Sequence, residues 1–113
     1  MPARLTTHVL DTANGFPAVG MQIELWSVEG AQRRLLKSVP TNSEGRTDFP
    51  LLDGEELSTG QYELVFFVGD YFGRFSPGRF LDRVPVRVNL VAGESYHVPL
   101  LCSPWSYTTY RGS

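Results

Sequence analysis

A chain of 113 residues has room for one domain and one hydrophobic core, and none for a second lobe. Ten basic against twelve acidic side chains leave a net charge of -2, which argues against a nucleic-acid surface, while 42% apolar residues with 12% aromatics mark a chain that folds. Its single cysteine, Cys102, allows no internal disulfide and no cysteine-built zinc site, which suits a reducing compartment.

Scattered glycines and prolines cut the chain into pieces of about 6 to 9 residues, the length of strands rather than helices. The first expected strand, Leu5 to Thr12, places Thr6, His8 and Leu10 on one face and Leu5, Thr7 and Val9 on the other. Beyond the Asn14-Gly15 turn come expected strands Met21 to Glu29 and Leu35 to Pro40, then the turn Asn42 to Gly45 and a strand Arg46 to Leu51. After Asp53-Gly54, Gln61 to Gly69 sets Tyr62, Leu64, Phe66 and Val68 against Glu63, Val65 and Phe67. Both faces are largely apolar, so this strand belongs in the middle of a sheet. A short helix is expected from an N-cap at Asp70, carrying Tyr71, Phe72 and Phe75, until Ser76-Pro77-Gly78 stops it. In Arg83 to Val91 the apolar face is Val84, Val86, Val88 and Leu90, and Pro85, which cannot donate to a ladder, argues for an edge or a strand start. Ser95 to Leu101 and Ser106 to Arg111 complete eight strands. The pattern is that of an all-β sandwich, one domain over residues 1–113, with no repeat or linker.

Nucleophile elbows, zinc-protease helices, paired-cysteine motifs, phosphate loops and dinucleotide fingerprints are all absent, which removes most familiar enzyme classes. What remains is sparse. His8 and His97 are the only histidines, and strand parity turns both away from the apolar faces. Each is a solvated strand residue, or the two converge into an imidazole pair that takes and returns a proton near neutral pH. Arg46, just after a turn, is either a surface charge or a fixed cation that steadies developing negative charge on a substrate. The C-terminal Ser106 to Ser113 stays strand-like almost to its last residue, so Tyr110, Arg111 and Ser113 are either used, at an interface for example, or belong to an edge strand that simply stops. Cys102 reads as apolar filler. No apolar run approaches the roughly 18 residues that span a bilayer, and Met1 to His8 lacks a secretory core, so the expectation is a cytoplasmic protein.

Taken together, the segments Leu5-Thr6-Thr7-His8-Val9-Leu10-Asp11, Gly15-Phe16-Pro17-Ala18, Gly45-Arg46-Thr47-Asp48, Tyr96-His97-Val98-Pro99-Leu100-Leu101 and Tyr110-Arg111-Gly112-Ser113 resemble the 5-hydroxyisourate hydrolases, transthyretin-related enzymes of urate breakdown. The resemblance runs over essentially the whole chain. In transthyretin, the hormone carrier of the same fold, the positions resembling His8, Arg46 and His97 hold lysine, glutamate and threonine, and the Tyr-Arg-Gly-Ser ending is missing. The resemblance implies a transthyretin-like sandwich of two four-stranded sheets with one short helix, assembled as a homotetramer with its sites where dimers face each other. It implies hydrolysis of 5-hydroxyisourate to 2-oxo-4-hydroxy-4-carboxy-5-ureidoimidazoline without metal or organic cofactor. It assigns catalysis to His8, Arg46, His97 and Ser113 and the substrate pocket to His8, Arg46 and Tyr110. Two rivals stand beside it. A transthyretin-like carrier would want an aliphatic channel without paired imidazoles, and an adhesive sandwich would want a signal peptide or a multidomain setting.

Overall fold

The computed structural model describes residues 2–75 and 80–112. In chain order the elements are β1 (Arg4–Thr6), β2 (Val9–Asp11), β3 (Phe16–Pro17), β4 (Gln22–Glu29), β5 (Gln32–Pro40), β6 (Leu52–Asp53), a 3-10 turn (Gly54–Glu56), β7 (Gly60–Phe67), α1 (Val68–Phe72), β8 (Arg83–Leu90), β9 (Tyr96–His97), β10 (Leu100–Cys102) and β11 (Tyr107–Thr109).

One layer is built on the alternation read in residues 61–69. Strand β7 lies inside an antiparallel sheet of order β5-β4-β7-β8, as its two apolar faces require. Its inward residues Leu64 and Phe66 oppose Leu25 and Ile23 on one side and Val86 and Val84 on the other. On the outer face Glu63 is almost wholly buried, its carboxylate accepting from Arg33 at 2.6 Å and from Arg87 at 3.0 Å. Strand β8 carries Pro85 at the sheet's edge, where a missing donor is tolerated. The pairing of β4 with β5 slips between Leu25 and Trp26, so that Leu36 is an extra residue on β5.

The other layer is built on parallel pairing of the first and last segments, and it is broken in the middle. Strands β6-β1-β9 form one ladder and β11-β10-β2-β3 another. The expected strands Leu5 to Thr12 and Ser95 to Leu101 are therefore each divided in two. Pro99 is the physical cause: it has no N–H to give, and opposite it the Thr7 hydroxyl donates to the Val98 carbonyl at 2.7 Å. Backbone bonds from Val98 N–H to Thr6 and from Leu100 N–H to His8 carry the chain across the gap. Between the layers Leu5, Val9 and Leu100 meet Ile23, Leu64 and Phe66, all fully buried.

Two local expectations are corrected. Residues 46–51 form no continuous strand: only Arg46 bridges, to His8, and the chain leaves the sheet through Thr47, whose hydroxyl bonds to the Phe49 carbonyl, and through Pro50, which lacks a donor. Pairing resumes at β6. The helix starts two residues before Asp70, directly off β7, because Gly69 N–H closes on the Asp82 carbonyl at 2.8 Å; Asp70 is a first-turn acid, not the cap. Its expected stop at Ser76-Pro77-Gly78 lies outside the described residues. Tyr71 ties the helix to the second layer by donating its hydroxyl to buried Asp11 at 2.8 Å. No helix among the described residues is long and apolar enough to cross a membrane.

Candidate active site

The break in the second layer is where the polar side chains gather. Along β1 and β2 the alternation holds: Leu5, Thr7 and Val9 are buried, while Thr6, His8 and Leu10 are partly exposed on the outer side. His97 likewise points away from buried Tyr96 and Val98. The parity reading of both histidines therefore stands.

His8 is held by the turn that follows β5. Asn42 organises that turn, its side-chain oxygen accepting from the N–H of Glu44 at 2.9 Å and of Arg46 at 3.1 Å. The chain can then bring the Glu44 carbonyl to His8 Nε2, 2.8 Å away. A carbonyl only accepts, so Nε2 carries a proton. Gly45 makes the approach possible: with φ of +78°, a side chain there would be strained, and its Cβ would collide with the Val9 carbonyl and crowd the His8 ring at 3.3 Å. The same turn places Arg46 opposite His8 as an antiparallel bridge, with the arginine exposed.

His97 is held from both sides. In the parallel register of β1 and β9 its neighbour is Thr6, whose Oγ1 lies 2.9 Å from His97 Nδ1. On its other side Gly112 bridges to it, with the Gly112 N–H bonded to the His97 carbonyl at 2.6 Å. The ring lies against the glycine so closely that a Cβ at Gly112 would come within 2.8 Å of His97 Cδ2. Burial first, then the positive charge of Arg46 and of His8, push the His97 imidazole below its ordinary pKa of 6.5. Arg46 pairs with His8, and His97 pairs with Thr6, two residues before His8 on the same face, which brings the three side chains into one neighbourhood, and the lowered pKa keeps His97 uncharged at neutral pH.

Of the remaining expected residues, Tyr110 alone is described, and it lies apart from the histidines. Tyr110 is exposed and lines a groove of about 610 Å³ with Val86, Val88, Tyr96 and Arg111, a groove that neither histidine lines. Ser113 lies outside the described residues. Cys102 is fully buried, and its thiol, pushed up to about 12 by burial and by Asp11, stays protonated and inert. Among the described residues, no group of three or more His, Cys, Asp or Glu side chains is arranged to hold a metal ion. Three contacts were not visible in the sequence: the Thr6 hydroxyl, the Glu44 carbonyl and the packing of Gly112. Thr6 alone left a signal, since it shares the outer face with His8 two residues on.

An uncharged imidazole, a proton-carrying imidazole and a guanidinium on one outward face make a set that moves a proton and steadies an oxyanion. The likeness to known proteins runs over nearly the whole chain. Residues 5–112 match the HIUase/Transthyretin family. The chain is 53% identical to 5-hydroxyisourate hydrolase 2 of Rhizobium meliloti (strain 1021), over 97% of this chain and 96% of the relative. It superposes on the structure of Klebsiella pneumoniae 5-hydroxyisourate hydrolase with a TM-score of 0.83 and 32% identity, over 98% of this chain and 94% of that one. It also superposes on the crystal structure of (S)-allantoin synthase with a TM-score of 0.90 and 44% identity, covering 98% of this chain but only 44% of that longer one. On this fold, this arrangement of side chains and these full-length likenesses, the chain belongs to the HIUase/Transthyretin family.

Proposed function

We propose that the chain hydrolyses 5-hydroxyisourate to 2-oxo-4-hydroxy-4-carboxy-5-ureidoimidazoline in urate degradation. The observation that carries the reading is the meeting of His8, Arg46 and His97 on one face of a chain about half identical to named 5-hydroxyisourate hydrolases. The reaction adds water across a ring amide. The neutral imidazole of His97 takes a proton from water as the water oxygen bonds to the ring carbonyl carbon. The Arg46 guanidinium faces the oxygen on which negative charge develops. Collapse breaks the carbon–nitrogen bond of the ring, and the departing nitrogen takes back a proton from an imidazolium. His8, its Nε2–H fixed on the Glu44 carbonyl, holds the substrate and the second proton path. Ser113 positions the water or substrate, so that catalysis falls to His8, Arg46, His97 and Ser113, and Tyr110, whose groove in a single chain is apart from the histidines, lines the pocket once chains assemble. None of these steps needs a metal or an organic cofactor.

The site also asks for company. Arg46 is exposed and the histidines only partly covered, whereas fixed charges act strongly only where water is excluded. A homotetramer in which pairs of chains face each other across this layer supplies the cover, in the cytoplasm, with the small substrate as the other partner.

The test is the ultraviolet decay of freshly generated 5-hydroxyisourate. The wild-type protein accelerates it, and His97→Asn or His8→Asn lowers turnover by at least about a hundredfold with particle size unchanged. Decay no faster with the wild-type protein than without it, the behaviour of a carrier, overturns the reading. Near-normal turnover in either variant removes that histidine from the mechanism.

A further inference from the structure

Neutral imidazole has two tautomers, and only one of them leaves a given nitrogen free to accept a proton. His97 sits in the sheet between Thr6 and Gly112, with Nδ1 2.9 Å from the Thr6 hydroxyl and Cδ2 against Gly112. Both ring atoms next to Cγ are thus engaged by the neighbouring segments, and the far edge with Nε2 projects outward. The proton on His8 is placed by an obligate acceptor, the Glu44 carbonyl. At His97 the neighbour is a hydroxyl, which can donate or accept, and its choice decides what the outward nitrogen does.

We propose that Thr6 is a positioning residue for His97: its hydroxyl accepts from Nδ1–H, holding the neutral ring in the tautomer whose Nε2 is unprotonated and open toward the substrate. The opposite arrangement, Thr6 donating to Nδ1, would put a hydrogen on Nε2 and leave His97 unable to take a proton from water. Electrostatics favours the first. Arg46 is a fixed cation near His97, and a lone pair on the exposed edge meets it better than an N–H dipole does. A backbone carbonyl in place of Thr6 would fix the same tautomer; a valine, equal in shape, would fix neither. The functional consequence rests on the hydrolase reading above, but the tautomer itself does not.

The experiment is nitrogen-15 NMR of the histidine-labelled assembled protein above the titration of His97. With only two histidines in the chain, His8→Asn makes the assignment unambiguous. The wild-type protein should show His97 protonated at Nδ1 and unprotonated at Nε2. Thr6→Val should give a tautomer mixture and lower kcat about ten- to hundredfold with KM within about twofold, the scale found when a partner that orients a working imidazole is lost. Thr6→Ser, which keeps the hydroxyl, should keep both the tautomer and kcat. An Nε2–H signal in the wild-type protein overturns the proposal without any variant, and so does a Thr6→Ser protein that loses the tautomer as Thr6→Val does. If the wild-type protein shows the expected tautomer but no turnover, the hydrolase reading fails and the placement by Thr6 stands.

Discussion

Each histidine of the pair is backed by a glycine, and the two glycines are there for different reasons. Gly45 needs its left-handed backbone as well as its missing side chain, so a substitution there strains the turn and the sheet with it. Gly112 carries no such backbone demand and is small only because the His97 ring occupies the space. Gly112→Ala should therefore leave folding intact, shift the His97 ring and lower kcat/KM severalfold or more; steady-state kinetics beside a thermal melt would check it, and unchanged kinetics would mean that the ring is not where activity is decided.

The lowered pKa of His97 has a sign that can be worked through. Its cause is burial first, then Arg46 and His8, all of which disfavour the charged ring. A base that must be neutral fails as it protonates, so the acid limb of the kcat/KM profile should fall below pH 6.5, the ordinary imidazole value, and not at it. Arg46→Gln should move that limb upward toward 6.5 by removing one of the two nearby charges. Stability follows the same direction. The unfolded chain binds a proton at this ring that the folded chain refuses, so His97 contributes nothing above pH 6.5 and destabilises the fold progressively as pH falls from there through the lowered value.

At the scale of elements, a single buried acid holds the short helix to the sandwich. Asp11, at 1% exposure, accepts from the Tyr71 hydroxyl at 2.8 Å and from the backbone and side-chain amides of Asn14 at 2.9 and 2.7 Å. Burial and the bond to Asp11 push the Tyr71 phenol well above its ordinary value, so it remains a donor at all working pH. Tyr71→Phe removes one of three partners from a buried carboxylate and should cost about 1–3 kcal/mol, read as a lower urea midpoint at unchanged slope. Turnover should barely change, since Asp11 lies on the buried face of β2, opposite the face that carries His8.

Elements also show where strand reading from sequence reaches its limit. Alternation identified β7 as central, and Pro85 pointed to an edge or a strand start, because burial on two faces and the loss of a donor are properties a segment carries with it. It failed at residues 46–51, expected as a strand following the Asn42 to Gly45 turn. Whether a segment pairs depends on a neighbour within reach, and Phe49 is 82% exposed on a chain that has left the ladder. It failed again at Asp70, a good cap by type, because the position of the helix was decided by the Gly69 contact with Asp82, thirteen residues away.

At the scale of the whole molecule, the outer face of the broken layer holds the residues proposed to work, and Arg46 is exposed there on a single chain. Large apolar side chains stand exposed elsewhere, among them Phe49, Trp105 and Tyr110. If the proposed tetramer closes the site, activity per chain should fall on dilution in step with dissociation measured by sedimentation. A dissociated chain of undiminished activity would show the site to be complete in one copy.

The sequence by itself determined which residues turn inward and which outward, because the two-residue period of a strand is a property of the local chain. It therefore placed His8 and His97 off the core, read Cys102 as filler, and carried the family resemblance in its motifs. Only the tertiary structure decided that the two imidazoles and Arg46 share one neighbourhood, that Glu44 and Thr6 hold the ring nitrogens, and that Gly112 backs His97. Those contacts join residues up to 91 positions apart, through a parallel pairing of the chain's two ends. No local preference encodes such a pairing, since it exists only once both layers have closed on a common core.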